Sequence, residues 1–292
     1  MIRRPVKDVS ASVHQKLITI SREQAEDPNI VFIRYAVERL LYRLSVSKES
    51  TKFILKGAML FSVWTQAPHR STRDLDLLGY GEPSSGRIEA FMRSLCSMAV
   101  EDDGLTFDDE SIRIEEIRES NEYEGLRVRL SAYLGNVRIP VQVDIAFGDV
   151  VTPDVVSIEF PTLLDFPKPK LLAYPPESVV AEKFQAMVYL GMVNSRMKDY
   201  YDLYILSQRF DFNRIVLTEA IHAIFKRRRT ELPKEVPVAL SREFAKDDKK
   251  KTQWSAFLKR NNIQDAPETL GDVVERLREF LLPLINDETA EH

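Results

Sequence analysis

Hydrophobic positions follow a helical period near both ends of the chain. Apolar residues recur at i, i+3, i+4 and i+7 in two early stretches, "SVHQKLITISREQA" and "IVFIRYAVERLLYRL", and this period is typical of amphipathic helices. From Pro176 onward the chain again has a helical pattern, which ends in "LGDVVERLREFLLPLI". We therefore predict helices over the first fifty residues and a mostly helical carboxy-terminal half.

Between Thr51 and about Phe160 the pattern changes to short strands mixed with helices. "FIL" predicts a short buried strand, "KGAMLFSVW" a turn that leads into a helix, and "DLDLLGY" a second strand before a helix at about 84–99. "GLRVRLSAYL" and "VRIPVQVDIAF" alternate with period two on either side of Gly135 and Asn136. A two-residue Gly-Asn loop between alternating runs predicts a β-hairpin.

The predicted fold class is α+β, with a small mixed β-sheet flanked by helices. The segment "FPTLLDFPKPKLLAYPPE" is rich in proline and irregular, which is typical of a connector. We therefore expect two domains: 1–165, with the amino-terminal helices and the sheet, and 166–292, a helical domain that completes the active site.

Composition excludes some classes of protein and leaves others open. A content of 44% hydrophobic and 29% charged residues is ordinary for a globular domain. The sequence contains no apolar run of about 18 residues, so we expect no membrane-spanning helix. The single cysteine, Cys96, cannot form an internal disulfide and fits a cytoplasmic protein. The net charge of −4 provides no overall attraction to nucleic acid, so such binding would need local basic patches.

Three aspartates are the main candidates for chemistry. Asp74 and Asp76 are one residue apart in a predicted strand, so both side chains point to the same face. They are either solvated at a strand edge or half of a metal site, because like charges at this spacing need a cation between them. Asp144 lies between Val143 and Ile145 and needs a cation, a proton or several donors as its partner. On neighbouring strands the three carboxylates would bind Mg²⁺.

These residues belong to a longer pattern that resembles a known family. "FILKGAMLFSVWTQAPHRSTRDLDLLG" is similar to the AbiEii/AbiGii-type nucleotidyltransferase toxins, within the DNA polymerase β-like nucleotidyltransferase superfamily. The later family motifs are matched in order by "VQVDIAF", "VVAEKFQAM" and "RMKDYYDLY". The resemblance covers roughly residues 10–210. Ala58 departs from it, because the family often has glycine or serine at this position.

The resemblance implies a role for each matching residue. Asp74 and Asp76 would hold Mg²⁺ or Mn²⁺, and Asp144 would complete the metal site or deprotonate the attacking hydroxyl. Lys183 would neutralise the triphosphate. Asp199 and Asp202 would orient that lysine or the substrate, unless they only pair with nearby cations on an exposed helix. The nucleotide-binding set would be Lys56, Gly57, Ala58, Ser71, Thr72, Arg73 and Lys183.

The implied activity is transfer of a nucleoside monophosphate from an NTP to an acceptor hydroxyl. By resemblance the acceptor is the 3′ end of tRNA, and the protein is the toxin of a bacterial toxin–antitoxin or phage-defence pair with a separately encoded winged-helix antitoxin. The alternatives are a protein hydroxyl as acceptor, a glycosyltransferase that uses D-x-D to hold a nucleotide sugar, and a non-catalytic binding module.

Two basic stretches are candidates for contact with RNA. "FKRRRTELP" contains Arg227, Arg228 and Arg229, and "SREFAKDDKKKTQWSAFLKR" contains Lys250. A solvated charged face explains both stretches equally well on sequence alone. Next to a nucleotidyltransferase site, binding of a phosphate backbone becomes the preferred interpretation.

Overall fold

The computed structural model of the protein describes residues 8–65, 70, 72–120 and 123–285. These residues form two compact units. The first, called the sheet unit, contains the described residues up to Gly148 together with Val156–Ala173. The second, called the helical unit, contains Asp149–Val155 and the described residues from Tyr174. A mixed sheet in one unit and helices in the other give the predicted α+β fold class. The segment Val156–Ala173 belongs to the sheet unit because its last strand joins the sheet, whereas the sequence prediction divides the chain once, after residue 165.

The sheet unit is built on seven strands in the order β3-β4-β5-β2-β1-β7-β6. Strand β2 runs parallel to β5 and β1 runs parallel to β7, while the other neighbours are antiparallel. The strands are β1 (Phe53–Lys56), β2 (Asp74–Gly79), β3 (Leu105–Ser120), β4 (Tyr123–Leu134), β5 (Val137–Phe147), β6 (Val156–Glu159) and β7 (Lys170–Ala173).

The two faces of the central strand β5 have different chemistry. Its alternate residues from Ile139 to Phe147 are buried apolar side chains, and Gln142 and Asp144 lie on the opposite face. Helix α2 (Pro28–Val46) contacts β5, and its own residues are mostly buried. The period-two pattern therefore directs hydrophobic groups to the core and leaves the polar groups of β5 together on the other face.

Four helices accompany the sheet. They are α1 (Val9–Glu23), α2, α3 (Leu60–Thr65) and α4 (Ser85–Cys96). Asp27 caps α2 by accepting a hydrogen bond from the amide of Asn29, and Pro28 occupies the first turn. The thiol of Cys96 is half-buried, and burial raises its pKa to about 12, so it is not a thiolate nucleophile.

An ionic cluster is buried in the sheet unit beside α2. The guanidinium of Arg43 donates to both carboxylate oxygens of Asp103, at 2.7 and 3.2 Å. Glu38 accepts a 2.7 Å hydrogen bond from the amide of Leu163. This second contact attaches α2 to the segment that leads into β7.

The helical unit contains six α-helices among its described residues. They are α5 (Pro176–Leu190), α6 (Met197–Arg209), α7 (Arg214–Arg227), α8 (Arg242–Lys246), α9 (Asp248–Arg260) and α10 (Leu270–Ile285). Buried aromatic residues hold the unit together: Phe184 of α5 packs on Phe225 of α7, and Tyr200 of α6 stacks on Phe244 of α8. Across the described part of the chain, no helix is both long and apolar enough to span a bilayer.

Candidate active site

Four charged residues form one row across the middle of the sheet. Lys56 of β1 is the register partner of Asp76 of β2, and Asp76 is the register partner of Asp144 of β5. Asp144 is in turn the partner of Arg127 on β4. Register partners project to the same face of a sheet. The row therefore consists of two neighbouring carboxylates with one cation on each outer side.

The third carboxylate of the predicted site has a defined partner in the structure. Both oxygens of Asp144 accept hydrogen bonds from Arg127, at 2.8 Å from Nε and 2.7 Å from Nη2. The pair is partly buried, with 17% of the Asp144 side chain and 30% of the Arg127 side chain exposed. Its hydrogen bond to Asp144 raises the pKa of the Arg127 guanidinium. The sequence leaves a cation, a proton or several donors open as the partner of Asp144. In the structure the partner is a cation, Arg127.

A second row begins at the other member of the D-x-D pair. The side-chain amide of Gln142 donates a 2.9 Å hydrogen bond to Oδ1 of Asp74, its register partner. The carbonyl oxygen of the same amide accepts a longer hydrogen bond, 3.4 Å, from Nε of Arg129. Gln142 therefore holds the Asp74 carboxylate in position through one oxygen and links it to a positive charge on β4.

Gly57 directly follows β1 and lies against the Asp76 carboxylate. Its φ is +75°, and a Cβ at this position would stand 2.1 Å from Oδ2 of Asp76. Two reasons exclude a side chain at this position. A Cβ would clash with the Asp76 carboxylate, and a positive φ strains any residue other than glycine. The following 3₁₀ turn, Gly57–Met59, contains Ala58 and leads into α3, as the sequence predicts for a turn that feeds a helix.

Asp74 and Asp76 offer the hard oxygen ligands that Mg²⁺ prefers. Gly57 brings the backbone close to Asp76, and the chemistry of the donor set fits a small hard cation. Asp144, however, is engaged by Arg127, and among the described residues no group of three or more acidic, histidine or cysteine side chains is arranged to hold a metal ion. The residues therefore fit Mg²⁺ through the D-x-D pair rather than through a ready three-carboxylate cluster.

The other predicted nucleotide-binding residues lie beside β1 and β2. Lys56 is buried, with 7% exposure, and its position in the charged row keeps its ammonium group on the face of the D-x-D pair. Thr72 is half-buried and Arg73 is exposed, immediately before β2. Ser71 lies outside the described residues.

The helical unit contains the second predicted cluster. The ammonium group of Lys183 on α5 lies 2.7 Å from Oδ1 of Asp199 and 2.7 Å from Oδ2 of Asp202, both on α6. The Asp199 side chain is 6% exposed and that of Asp202 is 0% exposed. The two aspartates are therefore not exposed surface acids. They hold Lys183 between two carboxylates, which is one of the two arrangements that the sequence leaves open for them.

Arg228, one of the residues predicted to contact RNA, makes its side-chain contacts within the helical unit. Its guanidinium donates hydrogen bonds to Asp149, Glu182 and Gln185. These contacts use the charge of Arg228 within the unit and argue against the predicted RNA contact. Its neighbours Arg227 and Arg229 are exposed.

Lys250, the other basic residue singled out for RNA contact, is buried. It is 5% exposed and donates a 2.7 Å hydrogen bond to the carbonyl oxygen of Asn194. Burial also lowers the pKa of its ammonium group. The predicted RNA contact of Lys250 is therefore wrong, because its ammonium group is buried and used within the unit.

Sequence reasoning missed Arg127 and Gln142 as parts of the site. Both lie in the two alternating runs of the predicted hairpin, on the polar face. A signal for them exists in the sequence, because residues opposite one another in a hairpin with a two-residue loop can be counted outward from Gly135 and Asn136. That count alone pairs Arg127 with Asp144.

Two solved structures are similar in fold. One is JHP933 from Helicobacter pylori, with a TM-score of 0.50 and 14% identity, covering 89% of this chain and 93% of that chain. The other, from H. pylori and described only provisionally as a nucleotidyltransferase, has the same TM-score and identity and covers 89% and 96%. These similarities concern the fold alone. No curated protein matches the sequence.

A family comparison goes further than the fold. The family described as nucleotidyl transferase AbiEii toxin, Type IV TA system, matches residues 39–279. The matched range includes β2 and β5, which carry the aspartates of the charged row. It also includes Lys183 with its two aspartates and most of the helical unit. The chain belongs to the AbiEii family of nucleotidyltransferase toxins, whose members act in Type IV toxin–antitoxin systems and therefore have an antitoxin partner.

Proposed function

We propose that this toxin transfers a nucleoside monophosphate from an NTP to a hydroxyl at the 3′ end of tRNA and releases pyrophosphate. The observation that carries the proposal is the row of Lys56, Asp76, Asp144 and Arg127 on the face of the sheet that also bears Asp74. On this face Lys56 offers a cation for phosphate beside Asp76 and Asp74, the carboxylates proposed for the metal. A modified tRNA 3′ end cannot be aminoacylated, which accounts for toxicity.

Asp74 and Asp76 are the residues proposed to hold Mg²⁺ or Mn²⁺. When bound, the ion supplies charge stabilisation for the phosphates and orients them for in-line displacement. Gln142 keeps the Asp74 carboxylate in a fixed orientation. Gly57 prevents any side chain from entering the space next to Asp76. These contacts support a preorganised site, in which little reorganisation is needed during the reaction.

The contacts of Asp144 and Lys183 support a proposed role for each. Asp144 is held on both oxygens by Arg127, and we propose that it positions the neighbouring charged groups of the row. We further propose that Lys183, whose ammonium group Asp199 and Asp202 keep in one place, binds the triphosphate, as the family resemblance implies. Family membership in the nucleotidyltransferases sets aside the glycosyltransferase alternative.

The test is incubation of the purified protein with Mg²⁺, total bacterial RNA and each radiolabelled NTP separately. Label in RNA of tRNA size, lost in Asp76→Asn, supports the proposal. The matched control is Asp109→Asn, because Asp109 is an aspartate of the same unit that pairs with Arg93 at the surface of β3. This variant should retain full transfer. Label in protein would instead identify a protein hydroxyl as the acceptor, and no label with any NTP would refute transfer.

The antitoxin partner is proposed to be a separately encoded winged-helix regulator. Co-expression of the neighbouring open reading frame should restore growth of cells that produce the toxin. Growth arrest that persists with that reading frame would contradict this identification without affecting the proposed chemistry.

A further inference from the structure

A groove lies within the helical unit, between α8 and α10. Its volume is about 290 Å³. Arg242, Ala245 and Lys246 line one wall, at positions i, i+3 and i+4 of α8. The other wall is formed by residues at i, i+3, i+4 and i+7 of α10, which are Gly271, Val274, Glu275 and Arg278. Each wall is therefore a single helical face.

The groove is positively charged in a protein whose net charge is negative. Its lining contains three cations, Arg242, Lys246 and Arg278, and one carboxylate, Glu275. Nη1 of Arg278 lies 3.7 Å from Oε2 of Glu275. Within the described part of the chain, neither Arg242 nor Lys246 has a hydrogen bond or an ion pair to another side chain. Two cations thus face the groove without a neutralising partner, and their field is focused by its low-dielectric walls.

Both walls stand on well-packed helices. Phe244, between Arg242 and Lys246 in sequence, is fully buried and stacks on Tyr200 with ring centroids 5.3 Å apart. Val273 and Leu277 anchor the buried side of α10. Because the apolar faces of the two helices are fixed, the cations project from a preformed frame and not from a flexible segment. Less ordering entropy is therefore lost when an anion binds.

The floor and one end of the groove have no polar side chain. Ala245 and Val274 provide a small apolar floor, and Gly271 leaves one end open. A Cβ on Gly271 would meet only Oγ1 of Thr269, at 3.6 Å, which is ordinary contact. Glycine is therefore not required there by packing within the protein. Its effect is to keep the groove unobstructed.

We propose that this groove binds the phosphodiester backbone of the RNA acceptor, with Arg242, Lys246 and Arg278 contacting phosphates and the apolar floor contacting the ribose. The inference rests on the proposed function, since it names the surface that holds the acceptor. The proposed RNA-binding residues are therefore cations that face a groove. Arg228 and Lys250 are not among them, because their charges make contacts within the unit. Arg278 comes from the last helix, far in sequence from the basic stretch around α8.

The first experiment measures RNA binding without any chemistry. Fluorescence anisotropy with labelled tRNA, without NTP and divalent ions, compares wild type with the Arg242→Gln, Lys246→Gln double variant at 50 and 200 mM salt. Loss of two phosphate contacts should reduce the slope of log affinity against log salt by about 1.4, at about 0.7 per contact for single-stranded RNA. Over this fourfold salt range the wild-type affinity should then fall about sevenfold more than that of the variant.

The control removes the same charge from a neighbouring surface. Lys249 and Lys251 are exposed on α9, so the Lys249→Gln, Lys251→Gln double variant has the same net charge but an intact groove. It should keep the wild-type affinity and slope. An equal loss in both double variants, or no loss in either, overturns the proposal.

A variant that changes the shape of the groove and not its charge tests whether RNA occupies the groove. Gly271→Leu fills the open end with no change in charge, and it should weaken tRNA binding while thermal stability stays at or above that of the wild type. Transfer assays distinguish the two proposals. If wild type labels tRNA but the Arg242, Lys246 and Gly271 variants bind tRNA normally, the groove is refuted and the function stands. If groove variants lose binding but wild type labels nothing with any NTP, the function is refuted and the groove stands.

Discussion

Replacing Arg127 by alanine should destabilise the sheet unit more than replacing Asp144 by asparagine. The pair has two charge-assisted hydrogen bonds at 2.8 and 2.7 Å, and hydrogen bonds to charged groups contribute about 1.5–3 kcal/mol each in general. Because 30% of the Arg127 side chain is exposed, solvent screening reduces this value. We expect a coupling free energy of about 1–2 kcal/mol for the pair.

The difference between the two variants comes from the neighbouring charge on β2. Without Arg127, the carboxylates of Asp144 and Asp76 remain side by side on adjacent strands. Two unit charges about 5 Å apart repel by about 1–3 kcal/mol for effective dielectric constants between about 80 and 20. Without the Asp144 charge, Arg127 still has the favourable charges of Asp74 and Glu115 near it. Alanine at 127 therefore has two costs, and asparagine at 144 has one.

The assay is thermal unfolding in metal-free buffer, repeated with Mg²⁺. A loss of about 1–2 kcal/mol corresponds to about 2–8 °C in Tm for a unit of about 150–250 residues. Mg²⁺ should raise the Tm of Arg127→Ala more than that of wild type, because it replaces the missing positive charge. Arg129→Ala is the matched control: it is on the same face of β4 but pairs with Glu115 at the surface, with 47% of its side chain exposed.

Two results would refute this reasoning. One is an Asp144→Asn variant at least as stable as wild type in metal-free buffer, which would mean that repulsion among the carboxylates outweighs the Arg127 pair. The other is a loss for Arg127→Ala no larger than that for Arg129→Ala, which would mean that the pair is no stronger than an exposed ion pair.

Local periodicity in the sequence is sufficient to predict much of the fold. The two early helices, the strand with Asp74 and Asp76, and the hairpin around Gly135 are all present. The expectation that Asp144 lies on a strand next to the D-x-D pair is confirmed by the parallel register of β2 and β5. Each of these features depends on side-chain alternation or turn chemistry over a few residues, which a sequence displays directly.

Strand β7 cannot be predicted in this way. Lys170–Ala173 lies inside the proline-rich segment for which the sequence predicts an irregular connector, and it is only four residues long. What makes it a strand is its pairing, parallel to β1 and antiparallel to β6. Pairing with β1 joins residues that are far apart in the sequence, and no local pattern encodes such a contact.

Side-chain partners are less predictable than backbone elements. Lys246 and Lys250 belong to the same charged stretch of sequence, yet Lys250 is buried against the Asn194 carbonyl while Lys246 is exposed. The difference depends on which helical face meets Phe244 and its neighbours. A count of basic residues therefore cannot tell which of the two lysines keeps its charge in solvent.

Three further predictions concern the charged residues Asp76, Lys183 and Glu38. Asp76→Asn should reduce transfer at least about 100-fold with little change in Tm, as measured by NTP incorporation and calorimetry, because the carboxylate is half-buried and not part of the core. Lys183→Met should destabilise the helical unit by about 3–5 kcal/mol, seen in urea unfolding, because it removes the cation that lies between the buried carboxylates of Asp199 and Asp202; an unchanged midpoint would contradict this. Burial raises the pKa of Glu38 to about 7, above its ordinary value of 4.5. The folded protein therefore holds this proton more tightly than the unfolded chain, so the stabilisation is complete below pH 4.5 and is lost as pH rises through 7. The free energy of unfolding of Glu38→Gln, measured by urea unfolding, should therefore rise relative to that of wild type by on the order of 1–3 kcal/mol between about pH 5 and 7. A stability difference between the two proteins that stays constant across this range would show that the pKa of Glu38 is not raised.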